Sequence, residues 1–448
     1  MALSANSVFE VRTTGSDTNG GGFVTGASGT DYSQQDAANS AGSDISTTDA
    51  VAVGSTTITS ATANFGTSIV GNIVYFAGGT GSITGCWRQV TARASTTSIT
   101  IDASIAASTG MTMNIGGALA SLGQAGGVGL VSGNIIHVKA GTYTIASATT
   151  NIATGCFAST LSILNISGYQ TTRGDLGTAP LLQASGISTF VIISSTGAEA
   201  SIANIDVDGA SLTSSRGFNV RGVIYKCQGL NCTNTAFNAS SAANTIWVKC
   251  IATGCSTVAA YVSGVGYGSI AHTNTITGFS TVQCFYCLSY NNSGASSDGF
   301  ASASSSTPFA NNTAYGNGRD GFRITGDQSW LINNIAENNT GTGILLSGVM
   351  DGVFLLNNAT YNNTGGSINV STGKGVLNIG AVTGSGSFFT NAGSADFSLN
   401  NTSGAGASAR AAGYPGVLPI GGTGYLDIGA LQHADPAGGG VTMFIPVE

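Results

Sequence analysis

Short apolar segments separated by turn-forming residues recur along the chain. Residues 245–249, 330–333 and 353–357 are typical, since each combines Ile, Leu, Val, Phe or Trp and ends at Lys or Asn. Val, Ile and Thr favour strands, whereas the Gly, Asn, Asp and Ser between these segments favour turns. No segment has the length and period of a long amphipathic helix. The pattern predicts an all-β protein built from many short strands.

Two columns of Cys and Asn residues repeat at a nearly constant interval. Apart from one step of 37, their members lie 22 to 25 residues apart. The first column comprises Cys227, Cys250, Cys287, Asn312, Asn334 and Asn358, and the second comprises Cys232, Cys255, Asn292, Asn317, Asn339 and Asn363. Such a period with short strands predicts a parallel β-helix with roughly 22–25 residues per coil, whose equivalent residues form ladders along the axis. Asn suits a ladder at a turn because it tolerates left-handed geometry.

The step of 37 residues, from Cys250 to Cys287, is the exception. It predicts an inserted loop around residues 264–274, which include His272. Insertions in solenoids usually lie on one face, often the binding face.

The cysteines admit a redox or metal site, or a buried column of free thiols. The second interpretation is favoured because Asn, which has no thiol chemistry, replaces Cys in the same columns. Cys284 and Cys287 form one CxxC, and no second one accompanies it. We therefore expect eight free thiols, no disulfide between Cys227 and Cys232, and assembly in a reducing cytosol.

Composition and charge narrow the class of protein. Charged residues make up 7% of the 448 residues, 67 are Gly, and the net charge is −7 without a basic cluster. These values disfavour coiled coils, helical bundles and nucleic-acid binding. No apolar run reaches 18 residues, so no membrane span is expected. The first residues lack a basic and an apolar region, so no signal peptide is expected.

The N-terminal segment resembles the pectate-lyase-like right-handed β-helix superfamily. The matching residues are Gly15-Ser16-Asp17, Gly20 and the turn Lys139-Ala-Gly-Thr-Tyr143. The resemblance implies a right-handed β-helix whose first coil is capped by a short helix near residues 118–125. Residues 17–23 and 29–33 are also similar to openings with a β insertion in bacteriophage virion proteins. Residues 395–399 and 424–432 resemble the closing strands of such β-helices.

These features divide the chain into four parts. Residues 1–50 form the first strand and Gly-rich loop, and residues 51–115 form a small inserted antiparallel β module. Residues 116–432 form the capping helix and the β-helix. Residues 433–448 form a Gly linker and an apolar tail strand, which either pairs with a neighbouring subunit or folds back on its own coil.

Two carboxylate pairs are the candidate catalytic residues. Asp206 and Asp208 share one face of a strand, and Asp298 and Asp320 stack on adjacent coils about 5 Å apart. Either pair suits a Ca²⁺ site or acid–base chemistry, whereas the repeated Asp-Gly-Phe favours simple turn caps for the second pair. No complete lyase or hydrolase motif accompanies them, and no other metal site is apparent.

The lysines and histidines are not at obvious partner positions for these carboxylates. His137 is expected to be a wall residue of its strand. Lys226 and Lys249 lie one coil apart and form an outward basic step, and Arg319 and Arg323 pair locally with Asp320.

The leading functional interpretation is a structural protein of a bacteriophage particle: a capsid-decorating, fibre or spike protein that contacts host surface glycan. We expect a homotrimer that binds other virion proteins, located in the virion, with no cofactor unless Ca²⁺ is bound. One alternative is a polysaccharide lyase or glycoside hydrolase, such as a spike depolymerase. Another is a bacterial surface adhesin.

Overall fold

The computed structural model describes residues 4–38, 45–128, 130–146, 163–186, 191–239, 245–401, 405–410, 412–414 and 426–432. The chain divides into two compact units. The first is Met1–Ile187, Val191–Val207 and Asn219–Val223, and the second is Ser188–Phe190, Asp208–Phe218 and Ile224–Glu448. Within the described ranges, no helix has the length and hydropathy needed to cross a bilayer.

The elements up to residue 225 are mostly strands, with one 3-10 helix (Thr67–Ile69) and one α-helix, α1 (Leu122–Gly127). The strands are β1 (Ser7–Val11), β2 (Gly22–Val24), β3 (Ile45–Ala52), β4 (Thr57–Thr59), β5 (Ile73–Gly78), β6 (Ile83–Ser95), β7 (Ser98–Ile101), β8 (Ser108–Ile115), β9 (Ile135–Lys139), β10 (Thr142–Ile145), β11 (Ile163–Tyr169), β12 (Leu181–Ala184), β13 (Val191–Ala203), β14 (Asp206–Asp208) and β15 (Arg216–Tyr225).

The first unit contains the predicted antiparallel module. Strands β3 to β8 close into a six-stranded antiparallel sheet in the order β3-β4-β7-β6-β5-β8. Phe76, Met111, Met113 and Ile115 are fully buried in its interior. Strand β3 begins at Ile45, so the sheet starts before the expected boundary at residue 51.

The first unit also begins the parallel ladder. Strand β9 pairs in parallel with both β1 and β11, while β10 pairs in parallel with β12. The Gly-rich loop reaches β2, which is antiparallel to β1. A Cβ atom at Gly20 would lie 1.9 Å from the carbonyl oxygen of Ile73, so only glycine allows the loop to pass there.

Helix α1 is shorter than the helix predicted near residues 118–125. Ala118 and Leu119 are buried but not helical. Ser121 is the N-cap and accepts the backbone N–H of Gln124. Asp17 holds this end of the helix, because its carboxylate accepts the N–H groups of residues 120 and 121 and the hydroxyl of Ser121. This is the structural role of Asp17 in the Gly-Ser-Asp motif.

The elements after residue 225 are again short strands, with one 3-10 helix (Ala392–Ser394) and α2 (Gly406–Ala409). The strands are β16 (Gln228–Leu230), β17 (Thr235–Ala239), β18 (Thr245–Val248), β19 (Ile251–Thr253), β20 (Ala259–Val262), β21 (Val265–Tyr267), β22 (Ile270–His272), β23 (Thr277–Ser280), β24 (Gln283–Phe285), β25 (Leu288–Tyr290), β26 (Phe300–Ser302), β27 (Pro308–Ala310), β28 (Thr313–Tyr315), β29 (Phe322–Ile324), β30 (Trp330–Ile332), β31 (Ile335–Glu337), β32 (Ile344–Asp351), β33 (Phe354–Leu356), β34 (Ala359–Tyr361), β35 (Ile368–Lys374), β36 (Leu377–Ile379), β37 (Val382–Thr383), β38 (Phe389–Asn391) and β39 (Asp396–Leu399).

The second unit is a parallel β-solenoid with three sheets. The first sheet contains β17, β20, β23, β26, β29, β32 and β35, and the second contains β18, β21, β24, β27, β30, β33 and β36. The third has the order β16-β19-β22-β25-β28-β31-β34-β37. Each strand pairs in parallel with its equivalent on the next coil. The prediction of an all-β chain with a parallel β-helix and a small antiparallel module is confirmed.

The prediction of an inserted loop between Cys250 and Cys287 is wrong. Strand β22 lies between β19 and β25 and pairs in parallel with both. The 37 residues are therefore two short coils, and Ser269 and Asn274 occupy the column positions of the additional coil. His272 lies on β22, and its ring stacks on that of Tyr290 with a centroid distance of 4.9 Å. The extra coil was missed because its steps of 19 and 18 residues are shorter than the period of the other coils and Ser269 replaces the marker residue of the first column, although Asn274 marks the second.

An aromatic stack fills the interior of the solenoid. Neighbouring rings have centroid distances between 4.5 and 5.0 Å and are nearly parallel. The stack comprises Phe218, Phe237, Tyr261, Phe279, Phe300 and Phe322, all fully buried. Each such contact contributes about 0.5–1.5 kcal/mol beyond the burial of area. The Phe of the repeated Asp-Gly-Phe motif therefore has an interior packing role.

The C-terminal segment packs on the outer face of the third sheet. Strands β38 and β39 form a hairpin, and Phe388, Phe397 and Ile428 join a buried cluster with Leu288 and Ile335. Residues 426–432 are not the predicted strand. Gly429 donates its N–H to the carbonyl oxygen of residue 333, and Ala430 donates to the hydroxyl of residue 313. The tail (433–448), with His433, and Cys156 lie outside the described residues.

Candidate functional site

The two predicted columns are hydrogen-bonded ladders inside the solenoid. Nδ2 of Asn312 lies 3.0 Å from Oδ1 of Asn334, and Nδ2 of Asn334 lies 2.9 Å from Oδ1 of Asn358. The same Oδ1 atoms also accept the backbone N–H of the preceding member. The second column repeats these contacts along Asn292, Asn317, Asn339 and Asn363. The amides therefore connect successive coils where the strands turn.

The left-handed residue at each turn is not the ladder Asn, as was expected, but the residue before it. Asn311 has φ 56°, Asn333 has φ 55° and Asn357 has φ 49°. Lys226 and Lys249 occupy the same turn position on earlier coils, with φ 51° and 53°. The ladder Asn keeps ordinary backbone geometry and contributes its amide instead.

The cysteines of the columns are buried free thiols. Of the described cysteines, Cys227, Cys232, Cys250, Cys255, Cys284 and Cys287 are buried and none forms a disulfide. The backbone N–H of Cys287 donates to Oδ1 of Asn312 at 2.8 Å, so Cys and Asn share one column. Burial raises the pKa of Cys255 to about 12. A thiol with such a pKa stays protonated and is a poor nucleophile and metal ligand.

Asp298 and Asp320 lie on adjacent coils, as expected, but each carboxylate is held by arginine and backbone groups. Arg319 Nε lies 2.7 Å from Asp298 Oδ1, and Arg319 Nη2 contacts the other oxygen. Arg323 Nη1 lies 3.3 Å from Asp320 Oδ2. The expectation that both arginines pair locally with Asp320 holds for Arg323, whereas Arg319 lies 4.0 Å from Asp320 Oδ2 and has its main partner, Asp298, one coil earlier.

The same carboxylates also connect the coils. The N–H of Asp320 donates to Asp298 Oδ1 at 3.2 Å, and the N–H of Thr342 donates to Asp320 Oδ1 at 2.7 Å. The Asp298 side chain has no exposed surface and that of Asp320 only 5%. Burial raises the pKa of Asp298, while the hydrogen bond from Arg319 opposes that change. A substrate in solution has no path to Asp298 in this arrangement.

Asp206 and Asp208 do share one face of their strand. Both are half-buried, while Val207 between them points into the core and is fully buried. Asp208 Oδ1 accepts the N–H of Ala210 at 2.8 Å and Nδ2 of Asn231 at 3.1 Å. Asp208 therefore caps a turn, and part of its carboxylate surface stays accessible.

A network of buried charges in the first unit was not predicted. The carboxylate of Glu10, on β1, is fully buried and accepts hydrogen bonds from Arg12 at 2.9 Å, Arg173 at 2.8 Å and the hydroxyl of Tyr169. Arg173 also contacts Asp31 at 2.7 Å. Every oxygen of Glu10 is thus satisfied, which identifies the network as a connection between the first strand and a later coil. The signal was present in the segment Val8-Phe-Glu-Val11, where a charged residue interrupts a strand.

His137 lies beside this network. It points away from the core-facing residues Ile136 and Val138, and its Nδ1 is buried without a hydrogen-bond partner. Burial and the charge of Arg173 lower the pKa of His137 to about 4. It is therefore neutral at physiological pH, and no carboxylate accepts a hydrogen bond from it.

A strip of apolar side chains, here called the apolar strip, runs along the outer face of the second sheet. It contains two alternating residues from each of seven strands: the second and fourth of β18, and the first and third of the other six. The residue between them is buried in every strand except β36, where Asn378 is exposed. Its members are Ile246, Val248, Val265, Tyr267, Gln283, Phe285, Pro308, Ala310, Trp330, Ile332, Phe354, Leu356, Leu377 and Ile379. Trp330 is 52% exposed and Phe354 is 40% exposed. No member of the strip is charged. The sequence pattern predicted these strands but not their shared apolar outer face.

Among the described residues, no group of three or more His, Cys, Asp or Glu side chains is placed so that it could hold a metal ion. The only groups with several charged side chains there are the Glu10 network and the Asp298–Arg319–Asp320–Arg323 cluster, and arginines satisfy both.

Comparisons with known proteins return distant similarities in structure alone. No family model and no curated protein sequence matches the chain. The A-module of mannuronan C-5 epimerase AlgE4 from Azotobacter vinelandii is 13% identical with a TM-score of 0.37, over 56% of this chain and 79% of that chain. ORF18 of Geobacillus virus E2 is 10% identical with a TM-score of 0.29, over 58% of this chain and 56% of that one. The tailspike protein gp49 from Pseudomonas phage LKA1 is 10% identical with a TM-score of 0.20, over 76% and 67%.

Proposed function

We propose that this protein is a structural component of a bacteriophage particle: a β-helical fibre, spike or capsid-decorating protein that acts as a homotrimer and contacts host surface glycan. The observation that carries the proposal is the use of polar side chains in the solenoid. The Asn columns and the pair Asp298 and Asp320 are buried and hydrogen-bonded from coil to coil. Side chains used in this way stiffen the solenoid, and their hydrogen-bonding groups are not available for catalysis.

The carboxylates support a structural role more than a catalytic one. A retaining or inverting glycosidase needs two carboxyl groups that face the same substrate, one of them able to give up a proton. Asp298 is fully buried and held by Arg319. Glu10 is equally buried and is paired with two arginines. Neither carboxylate meets the requirement of access.

The N-terminal segment supports the assignment to a virion. Its similarity to the openings of phage virion proteins includes Asp17 and Gly20, and both residues have structural roles at the start of the fold. A segment whose matching residues hold a helix and a tight loop belongs to the scaffold of the protein. The loops of the solenoid would then contact the host surface glycan.

A second candidate function rests on Asp206 and Asp208. Their side chains are half-buried on one face of β14 and are therefore more accessible than Asp298. A polysaccharide lyase or glycoside hydrolase would use this pair. The hydrogen bonds that Asp208 accepts from Ala210 and Asn231 favour a turn cap instead.

The virion assignment is tested by the protein content of purified particles. Particles from a lysate of the strain that encodes the chain are banded in a density gradient, and the chain is sought in the particle band and in the unbound fraction. We expect the chain in the particle band. A chain found only in the unbound fraction would contradict the proposal.

The enzymatic alternative is tested on bacterial surface polysaccharides with assays for new reducing ends and for unsaturated products. We expect no product from the wild-type protein. Product formation that is lost in Asp206→Asn/Asp208→Asn, and kept in the control Asp351→Asn on an exposed aspartate, would establish the enzyme. The same assay on Asp298→Asn and Asp320→Asn decides whether the buried pair takes part in catalysis.

A further inference from the structure

We infer that the apolar strip is the surface through which copies of this chain associate, with their solenoid axes side by side. The inference rests on the homotrimer of the proposed function and identifies the face that holds it together. The strip is unusual because large apolar side chains, among them Trp330, Phe354 and Leu377 at 52%, 40% and 44% exposure, line up on one face.

The third sheet shows how this fold treats a comparable face. Its outer side also carries apolar residues, among them Leu288, Ile335 and Ala359. There the C-terminal segment covers them, with Phe388 and Phe397 buried against the sheet. No described residue of the chain covers the second sheet in this way. Trp330 and Phe354, whose rings lie edge to face with a centroid distance of 6.3 Å, line a shallow depression on it.

The outer face of the first sheet is less apolar than those of the other two sheets. Its outward positions in register are Asn238, Val262, Ser280, Ala301, Arg323, Leu345 and Asn369. Five of these seven are small, polar or charged, and the two large apolar members, Val262 and Leu345, are not adjacent to each other. The apolar strip, in contrast, has Gln283 as its one amide side chain and contains no charge. Of the three outer faces, one is mixed, one is covered by the chain itself, and one is apolar and open.

The dimensions of the strip suit the core of a subunit interface. Seven strands at a spacing of ~4.8 Å give a length of about 29 Å, and three residues per strand at ~3.3 Å each give a width of roughly 10 Å. The resulting area, about 300 Å², is at the lower end of the range of the largest apolar patches on monomers, which often mark interaction sites. A standard interface contributes about 800 Å² per partner and combines an apolar core with a polar rim. The strip supplies such a core.

The chemistry of the strip favours a second copy over a glycan. A sugar stacks on an aromatic ring but needs hydrogen-bonding groups beside it. Ser306 and Gln328 border the depression next to Trp330, but they hydrogen-bond to each other at 3.2 Å. Ile332, Leu356 and Ile379 offer no such group. An identical solenoid presents the same apolar residues with the same spacing between coils, so three strips that face a common threefold axis can pack against one another along their length. Each copy would then cover Trp330 and Phe354 of its neighbour.

The test is the mass of the full-length protein in solution, measured by light scattering and sedimentation over a range of concentrations. The variant Trp330→Ser/Phe354→Ser removes the two largest exposed members of the strip. Val258→Ser is the matched control, since Val258 is also 52% exposed but lies outside the strip. We expect a trimer for the wild-type and control proteins and a threefold lower mass for the strip variant. Far-UV circular dichroism and thermal melting show whether the strip variant keeps its fold.

Three outcomes would overturn the inference: a wild-type monomer at all concentrations, a folded strip variant that stays trimeric, or a trimer lost on deletion of residues 437–448 but kept in the strip variant. A strip variant that loses binding to host glycan and keeps the wild-type mass would also overturn it. These results are separate from those on the virion. A trimer that depends on the strip but is absent from particles removes the proposed function and leaves the interface standing.

Discussion

Arg319 of one coil holds the carboxylate of Asp298 on the preceding coil, with Nε 2.7 Å from Oδ1. The Asp298 side chain is fully buried, and the backbone N–H of Asp320 also donates to it. Removing one partner of a buried ion pair leaves an uncompensated charge in a low-dielectric environment. The pair is therefore a sensitive connection between two coils.

Arg319→Ala is expected to lower the free energy of unfolding by about 3 kcal/mol, because Asp298 stays buried without its cation. The measurement is the midpoint of urea unfolding at pH 7.5. Arg323→Ala is the control. Both arginines are one-third exposed, but without Arg323 the carboxylate of Asp320 keeps the N–H of Thr342 and still lies 4.0 Å from Arg319, so the loss should be below about 1 kcal/mol. Equal losses in the two variants would contradict this account of the pair.

Asn334 occupies the middle of the first ladder, where its amide joins the coils on both sides. Asn334→Ala leaves the buried N–H of Asn312 and the carbonyl oxygen of Phe309 without partners. We expect a loss of about 2–6 kcal/mol, from two unsatisfied groups at roughly 1–3 kcal/mol each, measured by thermal and urea unfolding. Asn369→Ala, on the exposed face of β35, is the control and should change stability by less than about 0.5 kcal/mol. Similar effects at both positions would show that the ladder adds nothing to stability.

The ladder was accessible from the sequence because its residues recur at the coil period. Asn312, Asn334 and Asn358 could be aligned by counting. The step from Cys250 to Cys287 could not be interpreted in that way, since coil length varies and Ser269 replaces the marker residue. A period predicts that coils stack, but a parallel strand of three residues such as β22 has too weak a local signal to reveal an additional coil.

Glu337 is buried beneath the C-terminal segment, where one oxygen accepts the N–H of Phe388 at 2.9 Å and the other has no partner. Burial raises its pKa above the ordinary value, despite the hydrogen bonds from Ser387 and Phe388. A carboxyl group that binds its proton more tightly in the folded state stabilises the fold fully below its unfolded pKa. This contribution is lost as the pH rises through the folded pKa.

Glu337→Gln removes this titration while keeping the shape of the side chain. The melting temperature of the variant relative to the wild type is expected to rise between pH 4 and pH 8. Melting curves at four or more pH values provide the measurement. Asp396→Asn, at an exposed position, is the control variant and is measured at the same pH values. A difference that falls with pH would contradict the raised pKa of Glu337.

The thiols give a prediction about chemical reactivity. We expect titration with a thiol reagent under denaturing, non-reducing conditions to find eight free thiols. In the native protein, buried cysteines such as Cys255, whose pKa burial raises to about 12, should react far more slowly than half-buried Cys86. A denatured count of six or fewer, which implies a disulfide, would contradict assembly in a reducing compartment.

The sequence predicted the site only in part. Asp298 and Asp320 were identified as neighbours from their coil positions, but their arginine partners depend on side-chain reach between coils. The Glu10 network was missed because Arg173 lies far from Glu10 along the chain. The apolar strip was missed for a related reason. In Trp330-Leu331-Ile332 all three residues are apolar, so the sequence does not show which of them faces the core and which faces outward. That distinction requires the three-dimensional arrangement of the strands.

The most direct test of the central claim is the number of copies of this chain in each purified particle, measured by quantitative mass spectrometry against a major capsid protein. The account predicts that the chain is present in a fixed number that is a multiple of three. Absence from washed particles, or a trace amount that varies between preparations, would contradict a structural role in the virion.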